Sequence, residues 1–440
     1  MITEAGQTVV ERVSSLLRHL GIERAHFAAS MPRDWEGLVT TYPDIVSSLT
    51  LVCPMGVNLE ALRANQRRLL ILTGDRGRSA EEARRTLAGL PTATWICLRD
   101  YAGLPWSDTI ADRTEEIGSA MMDFLARAEE SRSAKAENLR EGEGEIAEIS
   151  YSIRGSGPPL ILFPLALAPS QWQPLLPLLG ERYSTITLGG PTLGMIAHLE
   201  ARARAGYLGV IRRVIDELQL RSGEAVLEVG CGPGSIVRWL ARFTGGANRI
   251  VAMDINRYLL REAKALAKKE GVEGAIEFRE GNGETLPFAA NQFDVTLSFT
   301  VLEEGDADRM LAEFVRVTKP GGKVAIVVRS TDMPRWVNLR LSSELKNKVE
   351  GPQLLGGNVQ ENGCADASLY GRLQQMGLVQ VKMIPQLASH AEGERLQYMH
   401  DRIVAALAPA ELEEWRAAIA QAKGTFFIAE PFHCAVGTKP

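Results

Sequence analysis

The stretch Ala225-Val-Leu-Glu-Val-Gly-Cys-Gly-Pro-Gly234 decides the fold of the second half of this chain. Its first five residues predict a short buried strand, and the apolar spacing over 235–243 predicts a helix directly after it. The glycines between them let the backbone turn tightly and approach a ligand closely, while the start of the helix offers free N–H groups. Taken alone, this glycine loop has two interpretations: a ligand cradle, or simply a tight strand–helix turn.

Around this loop, strand-like and helix-like segments alternate. Strands are predicted over 249–253, 276–278, 295–299 and 323–329, and helices over 207–218, 257–269 and 307–318. Strands that alternate with helices of this length require right-handed crossovers, so the pattern predicts a doubly wound, mostly parallel α/β sheet. The tail predicts an antiparallel edge pair at 379–384 and 426–436, with helices over 392–407 and 410–422 between them.

The second predicted strand ends in Asp254, 24 residues after Gly230. An acid at this position can accept hydrogen bonds from both hydroxyls of a ribose. The glycines follow a G-x-G-x-G spacing, which departs from the G-x-G-x-x-G of dinucleotide-binding proteins. The loop and the acid together therefore favour a different nucleoside-containing ligand.

From about residue 207 to 329, the chain resembles the class I S-adenosylmethionine-dependent methyltransferases, especially the small-molecule branch with the ubiquinone and menaquinone C-methyltransferases. The resemblance rests on ordered motifs: E-V-G-C-G-P-G (228–234), A-M-D (252–254), G-N-G-E-T-L-P-F (281–288), F-D-V (293–295), V-L-E-E (301–304) and R-V-T-K-P-G-G (316–322). It implies a Rossmann-like sheet of seven strands in a domain spanning 200–440. It also implies S-adenosyl-L-methionine as the cofactor.

Carried over residue by residue, the resemblance puts Glu228 and the loop backbone around the methionine part of the cofactor, Asp254 on the ribose and Ile255 on the adenine. Asn282 stands where the family usually has an Asp, and its carbonyl can still accept a bond from the adenine amino group. Cys231 is interpreted as a small buried filler. The candidate cofactor residues are Tyr207, Glu228, Gly230, Cys231, Gly232, Gly234, Asp254, Ile255, Asn282, Gly283, Glu284 and Thr300.

Methyl transfer depends mainly on in-line placement of the acceptor and exclusion of water. A general base is needed only if the acceptor must lose a proton. Glu304 stands where the family often has a histidine, and it is a weak candidate for this role, as is His433 in the last strand. Glu303, His390 and His400 are weaker candidates. Each of the five can also be interpreted as an ordinary surface or core residue without a catalytic role. Arg204 and Tyr207 precede the loop and could cap the site; no metal site is predicted.

The first 193 residues resemble the α/β-hydrolase fold, but in an unexpected order. Residues 1–125 look like its later part with Ser30 at the nucleophile position, and residues 149–190 look like its first strands. A charged linker, 127–148, is predicted between them. The fold is therefore either circularly permuted through the linker or reduced to two incomplete remnants.

Hydrolase chemistry is not expected in this half. A nucleophile elbow needs small residues beside the serine, and the flanking glycine positions hold Ala28 and Pro32. Gly77 stands at the usual acid position and Gly103 at the histidine position, while Pro164-Leu165 replaces the His-Gly of the oxyanion loop. No histidine lies between His26 and His198, so a base that could activate Ser30 is missing. We expect a non-catalytic, hydrolase-like domain.

Composition limits the kinds of partner and the cellular compartment that we expect for this chain. With 54 acidic and 49 basic residues the chain has a net charge of −5, which argues against nucleic acid as a partner. Five scattered cysteines fit a reducing cytoplasm, and no membrane-inserting segment is apparent. The sequence thus predicts a cytoplasmic methyltransferase for a small hydrophobic or aromatic acceptor, and it leaves homo-oligomers through the first domain open. The alternatives are a cofactor-binding scaffold or regulator, and a cofactor-dependent cyclase or decarboxylase.

Overall fold

A computed structural model describes residues 9–54, 56–76, 78–103, 107–131, 135–136, 139–191, 193–204, 206–352 and 359–440. These residues fall into two compact units, one ending at His198 and the other running from Leu199 to Pro440. The boundary lies inside helix α8, Met195–Arg204. Of the helices in the described ranges, none is both long enough and apolar enough to cross a membrane.

The first unit contains seven helices before α8 and nine strands within the described ranges. The helices are α1 Val9–His19, α2 Pro32–Thr41, α3 Leu59–Arg63, α4 Arg78–Leu87, α5 Thr109–Asp112, α6 Thr114–Ser131 and α7 Leu176–Gly180. The strands are β1 Ile22–Ala29, β2 Val46–Val52, β3 Leu69–Gly74, β4 Thr94–Leu98, β5 Lys135–Ala136, β6 Gly142–Ile146, β7 Ile149–Arg154, β8 Pro159–Leu162 and β9 Ser184–Gly189.

These strands form one sheet in the order β4-β3-β2-β1-β8-β9-β7-β6, with β5 paired to the start of β1. Strands β4, β3, β2, β1, β8 and β9 are parallel to one another. Strands β7 and β6 continue the sheet in antiparallel fashion. Successive residues point to opposite faces, so that Phe27 belongs to one core cluster and Ala28 to the other. A sheet with apolar cores on both faces accounts for the complete burial of β2 and β3.

The segment predicted as a linker, 127–148, is in large part regular structure. Its first residues continue α6, and Gly142–Ile146 forms β6, which pairs with β7 in antiparallel fashion. A strand at the edge of a sheet tolerates charged side chains on its exposed face, which explains why the glutamates there did not prevent strand formation.

The second unit contains eight helices and nine strands in its described ranges. The helices are α9 Gly206–Leu218, α10 Ser235–Phe243, α11 Arg257–Lys269, α12 Ala307–Val317, α13 Ser343–Glu350, α14 Ser368–Gln375, α15 Gly393–Ala405 and α16 Pro409–Gln421. The strands are β10 Val226–Val229, β11 Ile250–Asp254, β12 Ile276–Glu280, β13 Phe293–Phe299, β14 Thr318–Arg329, β15 Trp336–Val337, β16 Val379–Met383, β17 Gln386–His390 and β18 Ile428–Thr438.

The second sheet has the order β12-β11-β10-β13-β14-β18-β15, with β16 and β17 also paired to β18. Strands β10 to β14 are parallel and β18 is antiparallel, which confirms the predicted parallel-rich α/β architecture. Nine strands are present where seven were predicted. The two-residue β15 is one addition, and Pro385, which has no N–H to donate, separates β16 from β17.

The chain leaves β10 and passes to β11 on one side, and later to β13 on the other side. At such a switch point the connections diverge and leave a crevice at the carboxyl ends of the strands. Glu228, Asp254 and Thr300 all lie at or directly after those ends. The fold therefore places these three predicted cofactor residues at the same edge of the sheet.

Helices α13, α15 and α16 form a separate core around the buried Trp415, whose ring packs edge-on against Phe426 at 5.7 Å. The predictions of α15 and α16 are confirmed, whereas α13 and α14 were not predicted.

Candidate functional site

The glycine loop after β10 is fixed to the end of β11. The N–H groups of Gly230 and Cys231 both donate to the carbonyl of Met253, at 2.7 and 2.9 Å. Gly230 has φ +78°, and a Cβ there would lie 2.2 Å from Cγ2 of Val301. Gly232 has φ +53° and open space where its Cβ would be. The loop thus needs glycine for close packing at Gly230 and leaves an open face at Gly232.

Glu228 is a buried acid, and one of its two carboxylate oxygens lacks a hydrogen-bond partner in the described ranges. Its side chain is 2% exposed, and within the described residues its Oε2 has no partner. Burial, reinforced by the nearby Asp254, raises the pKa of Glu228 to about 8. Because buried polar atoms are nearly always paired, this oxygen indicates a donor that a ligand would supply.

Asp254 anchors the loop through both of its carboxylate oxygens. The N–H of Gly232 donates to Oδ2 and that of Asn256 to Oδ1, each at 2.8 Å. Burial still raises the pKa of Asp254 above its ordinary value, despite these bonds. The next side chain, Ile255, is 67% exposed, which leaves it free to pack on a flat ring.

The turn that contains Asn282 borders the same crevice. Asn282 is exposed, and its Oδ1 accepts a bond from the N–H of Glu284 at 2.9 Å. A Cβ on Gly283 would lie 3.2 Å from Val229 in β10, which places the turn beside the glycine loop. Glu284 instead ties the turn to the start of α12, since its Oε1 accepts from the N–H of Asp306 at 3.0 Å.

Thr300 follows β13 with a left-handed backbone, φ +58°, and its N–H donates to Val327 at 2.7 Å. Its hydroxyl accepts a bond from Nη2 of Arg202 at 3.2 Å. The guanidinium of Arg202 also lies 4.0 Å from the ring centre of Tyr207. Tyr207 is buried, burial raises its pKa to about 12, and its hydroxyl has no hydrogen-bond partner among the described residues.

Arg202 is a site residue that the sequence did not reveal. Arg204, named instead, is exposed and lies 3.9 Å from Glu200. Both arginines belong to the same polar run of α8, and nothing in the local pattern distinguishes them. Only the contact with Thr300, which is 98 residues away along the chain, identifies Arg202.

The structure gives the two acids after β13 different surroundings. Glu303 is buried, and its Oε1 accepts from the N–H of Arg329 at 2.7 Å, so it holds the end of β14. Glu304 reaches solvent. Desolvation raises its pKa above the ordinary value, Arg329 opposes the rise and the charge of Asp254 adds to it. The charge of Asp254, at the end of β11, therefore influences the protonation of Glu304.

The histidines of the tail are engaged elsewhere. His433 is buried, and its Nε2 lies 2.6 Å from Oδ1 of Asp332 and 3.2 Å from the hydroxyl of Ser330. Burial would raise the pKa of Asp332, but bonds from His433, the Ala367 N–H and Ser330 hold it at about 2. His390 contacts Glu430 at 3.1 Å, and His400 lies 3.3 Å from Asp401.

Cys231 is buried beneath the loop. Desolvation, with the charges of Asp254 and Glu228, raises the pKa of its thiol well above the usual range. It therefore remains a neutral thiol, which fits a filler and not a nucleophile.

In the first unit, Ser30 is 2% exposed and donates to the carbonyl of Cys53 at 3.1 Å. His26 is bound through Nδ1 to Ser48 at 2.7 Å and through Nε2 to Glu129. Burial lowers the pKa of His26, although Glu129 opposes the shift. Within the described residues, no base is hydrogen-bonded to Ser30. Gly77, at the predicted acid position, lies outside the described residues, as do residues 104–106, which follow the predicted histidine position at Gly103.

Comparison with known proteins matches part of the second unit to a known family. Residues 227–326 match the model of a family described as a methyltransferase domain. The chain is 29% identical over 151 residues to the demethylmenaquinone methyltransferase of Lactobacillus johnsonii, which covers 34% of this chain and 62% of that enzyme. It is 34% identical over 117 residues to the ubiquinone/menaquinone biosynthesis C-methyltransferase UbiE of Escherichia coli, covering 26% of this chain and 47% of that enzyme. The chain thus spans only about half to three fifths of the length of these relatives.

Solved structures with a similar arrangement include the YcgJ protein of Bacillus subtilis, with 16% identity and a TM-score of 0.37 over 53% of this chain and 97% of that one. A geranyl diphosphate methyltransferase in complex with GPP and sinefungin has 15% identity and a TM-score of 0.34, over 53% and 78% of the two chains. At these scores the likeness adds nothing to the strand order described above.

Proposed function

We propose that residues 199–440 bind S-adenosyl-L-methionine and transfer its methyl group to a small hydrophobic or aromatic acceptor by in-line displacement. The observation that carries the proposal is the orphaned Oε2 of Glu228 beside an open glycine loop at the switch point of the sheet. The family match over residues 227–326 supports the reaction class. The names of the two related enzymes support an acceptor related to a quinone or its aromatic quinol form.

The described residues fit this cofactor. Glu228 would accept a bond from the ammonium group of the methionine part, and the open face at Gly232 leaves room for the chain. Asp254 retains acceptor capacity for ribose hydroxyls beyond its two backbone bonds. Ile255 would pack on the adenine, and Asn282 would accept from its amino group. The cofactor supplies a methyl group already activated by a positively charged sulfur.

Because the methyl group is activated in advance, the protein contributes mainly placement and exclusion of water. Val301 packs over the glycine loop at Gly230, and its neighbour Thr300 would border the side from which an acceptor approaches. Glu304, with its raised pKa, is the candidate to take a proton if the acceptor must lose one.

For the first unit, we propose a hydrolase-like fold that is circularly permuted and has no hydrolase activity. The pairing of β1 with β8 supports permutation over two remnants, because it joins the strands on either side of 127–148 into one continuous sheet. The burial of Ser30 and the engagement of His26 by Ser48 and Glu129 support the loss of activity.

Calorimetry with S-adenosylmethionine and S-adenosylhomocysteine tests the first step. The wild type should bind both ligands, and Asp254→Ala should weaken binding at least tenfold. The control Asp216→Ala, on the exposed face of α9, should bind like the wild type. Absence of binding to either ligand by the wild type would overturn the proposal.

Release of S-adenosylhomocysteine with a panel of quinols and phenols tests the second step. Methylated product that depends on Asp254 supports a methyltransferase. Tight cofactor binding without methylated product from any extract or panel member would favour a scaffold, or a cofactor-dependent cyclase or decarboxylase.

A further inference from the structure

Arg202 carries a free hydrogen-bond donor beside the proposed transfer position. Its Nη2 is bonded to Thr300, whose neighbour Val301 packs over the glycine loop at Gly230. Its Nε is buried and without a partner in the described part of the chain. Nη1 makes no hydrogen bond there either, and it is not among the buried atoms, so it remains accessible.

No carboxylate lies within ion-pair distance of Arg202 in the described ranges. The acid whose pKa its charge lowers, Glu430, is already held by Arg395 at 2.5 Å and by His390 at 3.1 Å. The charge of Arg202 is therefore not neutralised by an ion pair of its own.

A second guanidinium reinforces this positive charge. Arg335 is 5% exposed and donates to the carbonyls of Val349 and Gly351, at 3.2 and 2.8 Å. Its Nε has no partner among the described residues, and its charge also acts on Glu430. Arg202, Arg335 and Arg395 thus all act on the one carboxylate of Glu430, which already has its hydrogen bonds from Arg395 and His390.

Stacking on aromatic rings accounts for where the Arg202 guanidinium lies. It does not account for the N–H groups of Nη1, which have no acceptor among the described residues. The guanidinium lies 4.0 Å from the ring centre of Tyr207 and 5.8 Å from that of Phe432. Such stacking satisfies the faces of the planar group and leaves its in-plane N–H groups available. A half-buried N–H group without an acceptor is costly, and an anion that binds in the plane of the guanidinium removes that cost.

We propose that the acceptor carries a negatively charged oxygen, and that Nη1 of Arg202 binds it beside the methyl-transfer position. This inference rests on the proposed function, since it names the class of acceptor for the same site. Arg202 is then a specificity-determining residue that selects an anionic, aromatic molecule. The anionic oxygen is either a carboxylate or the oxyanion of a phenol or enol.

The test uses two matched probe pairs on the complex with S-adenosylhomocysteine. The carboxylate pair is 2-naphthoate and 2-naphthamide, and the oxyanion pair, at pH 8.5, is 4-nitrophenolate and 4-nitroanisole. We expect at least one anion to bind about tenfold or more tightly than its neutral partner, as befits one charge-assisted hydrogen bond. The pair that shows the preference identifies the source of the oxygen.

Arg202→Gln should reduce that preference to less than twofold, and Arg202→Lys should keep part of it. The matched control is Arg212→Gln, which removes another arginine stacked on an aromatic ring, Trp239 at 5.7 Å; it should keep the full preference. Equal binding of anions and neutral partners, a preference that survives Arg202→Gln, or no binding of any probe would each overturn the inference. Failure of S-adenosylhomocysteine to bind the wild type would instead overturn the proposed function, so the two failures are distinguishable.

Discussion

Glu228 and Asp254 lie near the carboxyl ends of two neighbouring parallel strands, and the charge of Asp254 adds to the burial that raises the pKa of Glu228 to about 8. Ionisation of one of these acids therefore disfavours ionisation of the other, because two negative charges beside the glycine loop repel each other when no cation is present. A ligand that brings a sulfonium and an ammonium group would offset that repulsion. The proposed cofactor and the protonation of the pair are thus thermodynamically linked.

This linkage predicts that cofactor affinity rises with pH. The ammonium group requires an ionised Glu228, and below a pKa of about 8 binding must first remove a proton. We expect the Kd for S-adenosylmethionine to fall between pH 6 and pH 8, by up to about tenfold per pH unit for one proton. Calorimetry at each pH measures this, and Glu228→Gln should flatten the profile. A wild-type Kd independent of pH would contradict the linkage.

The same pKa predicts that the ligand-free protein loses stability as the pH rises. Glu228 has an ordinary pKa of 4.5 and a folded-state pKa of about 8, so the native state binds the additional proton. Its contribution to stability is complete below the unfolded-state value and is lost as the pH rises through about 8. Urea unfolding of the second unit should therefore show a decline between pH 5 and pH 8.5. Glu228→Gln should reduce that decline, and an unchanged decline would assign it to other groups.

Gly230→Ala should damage both folding and binding. The new Cβ would lie 2.2 Å from Val301 Cγ2, and φ +78° is itself unfavourable for alanine by about 1–2 kcal/mol. We expect a lower Tm and at least tenfold weaker binding of S-adenosylhomocysteine, with partial recovery when Val301→Ala is added. Gly209→Ala is the control, because its Cβ meets nothing within 4 Å on helix α9. It should raise stability by up to about 1 kcal/mol.

The parts of the fold that sequence predicts best are those with local signals. Helices α10 and α11 begin and end where their apolar spacing does, and Asp254 closes β11 at the expected distance from the loop. The contacts of Arg202 with Thr300 and of His433 with Asp332 join residues about a hundred positions apart. No local pattern encodes such contacts, because they arise only when the strands are assembled into a sheet.

Binary patterning also has a limit at Ile255. Apolar patterning alone does not distinguish Ile255 from a core residue; only the family resemblance put it on the adenine, and the side chain is 67% exposed. Ile255→Ala should therefore leave the urea-unfolding midpoint unchanged while weakening binding of S-adenosylhomocysteine about fivefold to tenfold, the value of one lost apolar contact. Leu387→Ala, at another exposed apolar position (47%), should change neither quantity. A lower midpoint for Ile255→Ala would mean that the residue supports the fold and not the adenine.

Ser30 should be chemically inert. A serine attacks an acyl or phosphoryl centre only when a base removes its proton, and Ser30 donates that proton to the carbonyl of Cys53 while His26 is held by Ser48 and Glu129. At 2% exposure, its hydroxyl is also shielded from a reagent. A serine-directed fluorophosphonate should leave the protein unlabelled by intact-mass spectrometry over hours, whereas an active serine esterase is labelled in minutes under the same conditions. A stoichiometric mass increase that disappears in Ser30→Ala would show that a base reaches this serine, and the first unit would then have to be treated as an enzyme.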